Sequence, residues 1–159
     1  MTSVSIKDIK KFMSDLLIGE SFDIFNVKDV DIMTFANYRI DGSVNRQYYT
    51  DEDYENLSDK EYVFWKSVKP FVLSVIKGNK LPTYMKLTLL CPANKLTDFD
   101  AYTSNNELAS AVSRLVINIR FENETLNVVT GVSYKGFTLD KSLENQWDGY
   151  IEEFLSKYE

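Results

Sequence analysis

The residue pattern predicts an α+β fold: a single antiparallel sheet of about five strands, with N-terminal, central and C-terminal helices packed mainly on one face. Three observations carry this. Val112 to Lys135 reads as a β-hairpin, with Leu115, Ile117, Ile119 and Phe121 in one apolar row. Tyr84 to Cys91 alternates in the same way. Towards both ends of the chain, apolar residues recur instead at helical spacing. Strands joined by short turns pair antiparallel, and helices set apart in sequence cover one face of the sheet. The 159 residues contain neither a repeat nor a Gly/Pro-rich linker, so residues 1–159 are expected to form a single domain. A 44% hydrophobic content supplies a core and argues against disorder.

The first helix is predicted from Ile6, Ile9, Met13, Leu16 and Leu17. Ser5 and Asp8 approximate a capping box, and Gly19 suits its stop. Phe22 to Ile40 favours strands, with Val30 and Ile32 sharing a face with Tyr38 and Ile40 if a turn lies near Ala36-Asn37. The alternation slips near Lys28-Asp29, the mark of a bulge. Asp41-Gly42 is a turn signal.

Thr50 to Leu57 reads as a short helix capped by Thr50, with Asp51, Glu52 and Asp53 at its positive end. Ser58 and Glu61 form a capping box for a further helix that turns Tyr62, Trp65, Val68, Val72, Val75 and Ile76 inward. Pro70 is expected to kink that helix or start its second half, and Gly78 to end it. In the strand that follows, Met85, Leu87, Leu89 and Cys91 point one way and Tyr84, Lys86 and Thr88 the other. Ala93 to Glu107 reads as one helical turn and a loop, anchored by Leu96 and Phe99.

In the hairpin, pairing Phe121 with Leu126 sets Ile119 against Val128, Ile117 against Thr130 and Leu115 against Val132. A last helix from about Asp140 carries Leu143, Trp147, Tyr150, Ile151, Phe154, Leu155 and Tyr158 as an apolar stripe.

Composition excludes several chemistries. With no histidine, Ser-His-Asp and Cys-His nucleophiles, His-ligated metals and imidazole acid–base catalysis are ruled out. A lone cysteine, Cys91, makes neither an internal disulfide nor a thiolate zinc site; on the apolar side of its strand it reads as a packing residue. No cofactor, catalytic residue or metal ligand is assigned. The net charge of −6 disfavours nucleic acid and anionic membranes. The absence of a signal-peptide core and of a membrane-length apolar run predicts a cytoplasmic protein. Oligomeric state is not predicted.

One surface stands out. The hairpin register puts Arg114 near Ser133, Asn118 near Val129 and Arg120 near Asn127 on the face opposite the apolar row, with Lys135 at one end. Lys86 and Tyr84 extend this face if their strand joins the same sheet. Lys86, Arg114, Asn118, Arg120, Asn127, Ser133 and Lys135 are therefore the candidate ligand-binding residues: a cationic, hydrogen-bonding platform for an anionic small molecule or an acidic patch on a protein partner. An ordinary wet sheet face is the alternative.

Other motifs are weaker. Asp41, Asp51, Glu52 and Asp53 lack the EF-hand spacing and read as a turn and a capped helix. Ile76-Lys77-Gly78-Asn79-Lys80 lacks the spacing of a phosphate loop, which leaves Lys77 and Lys80 as cations at a helix C-terminus. Ser133 and Lys135 lie roughly 7 Å apart on a strand, too far for a dyad by themselves. Trp65 and Trp147 sit in apolar stripes and read as core.

The stretches Lys11-Phe12-Met13 to Phe22-Asp23-Ile24-Phe25, Ile40-Asp41-Gly42, Ile76-Lys77-Gly78 and Phe137-Thr138-Leu139-Asp140-Lys141-Ser142-Leu143-Glu144 with Trp147-Asp148 resemble a family of bacterial proteins of unknown function. Its members come from Gram-positive anaerobes, and the resemblance implies no activity, cofactor or site. The leading functional expectation is a non-enzymatic binding or regulatory domain. The alternative is a carboxylate- or magnesium-dependent enzyme, supported only by the density of Asp and Glu.

Overall fold

A computed structural model describes residues 1–77 and 81–159. Gly78 and Lys80, expected to end and flank the central helix, lie outside the described residues. The chain builds one antiparallel sheet of six strands in the order β1-β6-β5-β4-β2-β3. These are β1 (Ser3–Ile6), β2 (Asn26–Met33), β3 (Asn37–Asp41), β4 (Tyr84–Leu90), β5 (Val112–Glu122) and β6 (Thr125–Tyr134). The α+β class and the single antiparallel sheet are as the sequence predicts, with one strand more than expected.

That extra strand is β1. Residues 3–6 do not begin the first helix. They pair with β6, Ile6 opposite Leu126, and α1 (Ile9–Leu17) starts only after Asp8, whose carboxylate caps it by accepting from Lys11 N–H. Ser5 faces outward on β1 instead of capping.

The predicted hairpin register is the one observed, from Phe121 opposite Leu126 to Leu115 opposite Val132 and Arg114 opposite Ser133. Asn123 and Glu124 form its turn with φ of 53° and 60°. Two positive φ values match the right-handed twist of a two-residue hairpin, but glutamate has no reason to favour that region. Glu124→Gly is expected to stabilise the fold by about 0.5–1 kcal/mol, read from the urea midpoint.

The slip near Lys28 is a bulge between Val27 and Asp29 in the pairing of β2 with β4. Strand β2 lies inside the sheet, and the edges are β1 and β3. Phe22 and Phe25 precede β2 in a turn and are buried.

Three residue rows run across the inner face. Ile32, Met85, Phe121, Leu126 and Ile6 form one; Ile40, Val30, Leu87, Ile119, Val128 and Val4 the next; Val27, Leu89, Ile117 and Thr130 the third. Against them pack Phe12, Leu16 and Leu17 of α1, then Trp65 and Val72 of α3 (Trp65–Ile76). Leu143, Trp147, Ile151 and Leu155 of α6 (Ser142–Leu155) complete the layer. Together they form one contiguous apolar cluster. Among the described residues no helix is long and apolar enough to cross a membrane.

The remaining helices are short. Thr50 caps α2 (Asp51–Glu55) through Asp53 N–H, as expected. The Ser58/Glu61 box does not form. Residues 61–64 instead run extended beside β2, with Val27 N–H donating to the carbonyl of Val63, and α3 begins at Trp65 and runs through Pro70. After a 3-10 turn over Ala93–Asp98, α4 (Asp100–Ser104) and α5 (Asn106–Ala111) make residues 93–111 more helical than predicted. Leu96 is buried and Phe99 packs against the core, so the expected anchors do anchor it.

Candidate functional site

Opposite the apolar rows, the other face of the sheet carries the polar residues. Its central row reads Arg39, Asp31, Lys86, Arg120, Asn127 and Ser5 across the strands from β3 to β1. The adjacent row reads Asp41, Asp29, Thr88, Asn118, Val129 and Ser3. Lys86, Asn118, Arg120, Asn127 and Val129 line a shallow cavity of about 360 Å³.

Lys86 and Arg120 are direct cross-strand partners. Asp31, the neighbour of Lys86 on the other side, is engaged by Arg39 at 2.9 Å. Among the described residues no carboxylate lies within 4.0 Å of Lys86 or Arg120. The Arg120 guanidinium lies 5.9 Å from the centre of the Tyr84 ring. Asn118 accepts a 3.2 Å hydrogen bond from the Thr88 hydroxyl, which orients its amide. Two like charges directly opposite on a sheet cost stability unless something bridges them.

Arg114 leaves this platform. It lies on the expected face but is only 4% exposed. Its guanidinium bonds Asp59 Oδ2 at 2.6 Å, the Cys91 carbonyl at 3.2 Å and Asn26 Oδ1 at 3.4 Å, and it lies 5.5 Å from the Tyr62 ring centre. The chain after α2 folds over that end of the sheet and brings Asp59 with it, and a buried guanidinium demands such a partner. Ser133 is beside Arg114 in the register and exposed, and Lys135 has left the strand, its N–H on the Ala111 carbonyl. Neither lines the cavity of Lys86 and Arg120.

Sequence reasoning did not single out Asp59 or Asn26. Asp59 carries a faint signal, a turn aspartate whose carboxylate accepts from the N–H groups of Glu61 and Tyr62. Burial pushes its carboxyl up, but the N–H groups of Tyr62 and Glu61 and the Arg114 charge outweigh this and hold it below the usual carboxylate range.

Other carboxylates with clear shifts also move down: Asp41 through Ser43, Asp140 through Ser142, and Glu144 through the amino group of Met1. A general acid at neutral pH needs the opposite shift. Burial pushes the Cys91 thiol up to about 12, so it is a packing residue and no nucleophile. No group of three or more Asp, Glu, Cys or His suited to a metal ion comes together among the described residues.

Residues 15–159 match the family of unknown function DUF5721. The chain belongs to that family. The match begins within α1 and takes in the sheet from β2 onward, Lys86 and Arg120 of the polar face and the Asp59–Arg114 pair. Among curated proteins and among solved structures, nothing matches the chain. Membership in DUF5721 carries no activity with it.

Proposed function

We propose that this chain is a non-enzymatic binding domain whose open sheet face captures an anionic small molecule. The observation that carries the reading is the Lys86–Arg120 pair, two cations side by side in register with, among the described residues, no carboxylate within 4.0 Å of either. A carboxylate or phosphate bridging them would relieve their repulsion and accept charge-assisted hydrogen bonds from both. Asn118 and Asn127, on the same shallow cavity, add neutral donors and acceptors for the rest of the ligand. A concavity of about 360 Å³ favours a small molecule over the flat acidic patch of a protein partner. The enzyme alternative finds less support, because the shifted carboxylates are held ionised.

Calorimetric titration with citrate and with pyrophosphate at low salt tests this. The double variant Lys86→Ala/Arg120→Ala is expected to weaken binding by about a hundredfold or more, since each charge-assisted bond contributes about 1.5–3 kcal/mol. Its thermal midpoint should hold or rise slightly, because the substitution removes a like-charge contact. Arg114 has no place in this test, since its loss would act on folding. Equal affinity in wild type and double variant would defeat the reading.

A further inference from the structure

The helical side of the sheet holds a second, more enclosed cavity of about 340 Å³, between the turn before β2, the segment after β4 and α6. Four aromatic side chains, Phe25, Phe99, Trp147 and Tyr150, line it together with Ile24, Cys91 and Pro92. Trp147 and Tyr150 stack with centroids 5.8 Å apart and planes 12° from parallel. Phe99 meets both edge-on at 5.9 Å. The Trp147 indole N–H donates to the Val116 carbonyl at 3.0 Å, which ties the ring to β5 and fixes that wall in advance of any ligand.

The charged residues lining the cavity are Lys95 and Asp98. They sit on the 3-10 turn Ala93–Asp98, where positions three apart eclipse, so opposite charges stand on the same side. Both are exposed, and among the described residues neither has an ion-pair partner within 4.0 Å, including the other. An aromatic slot therefore opens beside one unspent cation and one unspent anion.

We propose that this cavity binds a small zwitterion bearing a planar aromatic ring, with the ring against the wall formed by Phe25, Phe99, Trp147 and Tyr150, its carboxylate on Lys95 and its ammonium on Asp98. Size fits this class. About 150 Å³ of apolar cavity holds benzene, so about 340 Å³ takes a fused ring with a short polar arm. Charge selects within it. A purely anionic ring meets Lys95 but also Asp98, a purely cationic one meets the reverse, and only a zwitterion answers both. Ring-on-ring contact adds to the burial of apolar area.

Four probes separate these contributions: free tryptophan, indole, indole-3-acetate and tryptamine, titrated by calorimetry into the full chain. In parallel, the two indole N–H resonances of the nitrogen-15-labelled protein are followed, so that the unlabelled probes stay silent. Tryptophan is expected to bind at least about tenfold tighter than the other three and to shift the Trp147 resonance while leaving Trp65 in place. Lys95→Ala should erase its advantage over tryptamine, and Asp98→Ala its advantage over indole-3-acetate. Both residues are exposed, so the thermal midpoint of each variant should match wild type. The Lys86→Ala/Arg120→Ala variant, altered on the opposite face, should bind tryptophan as wild type does. The proposal is overturned by no heat and no shift from any probe at millimolar concentration. It is equally overturned if indole binds as tightly as tryptophan, if the advantage survives both single substitutions, or if the sheet-face variant loses tryptophan.

Discussion

Arg114→Ala is expected to destabilise the protein by about 3–5 kcal/mol, measured as the shift in urea unfolding free energy. The substitution leaves the Asp59 carboxylate buried without its cation, its side chain only 2% exposed. Asn26, fully buried, also loses a donor, as does the carbonyl of Cys91. Asp59→Ala should cost a similar amount for the converse reason. Replacing both partners, as Asp59→Leu/Arg114→Met, should cost much less than the sum of the single changes, because no charge is then stranded. A double-variant cost equal to the sum of the two single costs would mean that the pair is not coupled as its 2.6 Å contact requires.

The same pair predicts acid sensitivity. The Asp59 carboxyl is held below its unfolded value in the fold. A depressed group contributes stability that is present above the unfolded value, near 3.9 for aspartate, and lost as pH falls through the folded value. Wild type should therefore lose stability between about pH 4 and lower pH, with a smaller slope in the Asp59→Leu/Arg114→Met variant. Urea midpoints measured across pH 3 to 6 check this directly.

Gly42→Ala is expected to destabilise by about 3 kcal/mol, at the upper end of overpacking costs. A β-carbon on Gly42 would lie 1.9 Å from the carbonyl oxygen of Val27 and 2.8 Å from its carbonyl carbon. Both are backbone atoms at the β2 bulge, so no side chain can swing aside. Gly42 N–H also donates to the Lys28 carbonyl at 2.8 Å, and its own carbonyl accepts from Val63 N–H at 2.9 Å. The glycine thus seats three chain segments against one another: the end of β3, the bulge of β2 and the extended stretch before α3. Thermal unfolding of Gly42→Ala measures the cost. A midpoint within about 2 °C of wild type would show that the bulge can retreat.

Gly42 also shows how a correct residue choice can carry the wrong reason. From sequence it marks a turn after Asp41, whereas in the fold its role is close backbone approach. No local signal reports that approach, because the atoms it meets come from a strand some fifteen residues earlier. The N-terminal strand was illegible for a related reason. Four residues are too few for alternation to compete with the helical spacing of Ile6 and Ile9, and the strand exists because the edge of β6 is there to pair with. Residues 93–111 carry helices of five and six residues, below the length at which a helix stands alone. They are held by distant partners, such as Gln146 accepting from Ala101 N–H.

On the candidate platform, register was legible and environment was not. Lys86, Asn118, Arg120 and Asn127 come together because strand pairing follows from the apolar row and the short turn. Arg114 has the same parity but a different fate, since the turn carrying Asp59 folds over its end of the sheet.

Sequence alone determined which face β4, β5, β6 and α6 turn to the core, because side-chain direction repeats every two residues in a strand and about every 3.6 in a helix. It also excluded imidazole chemistry, since a chain without histidine cannot supply it. Tertiary structure alone decided which cations are buried, which are left without a counter-charge and which aromatic rings line a cavity. Those outcomes depend on groups far apart in the chain meeting at a few ångströms, and no local period encodes that distance.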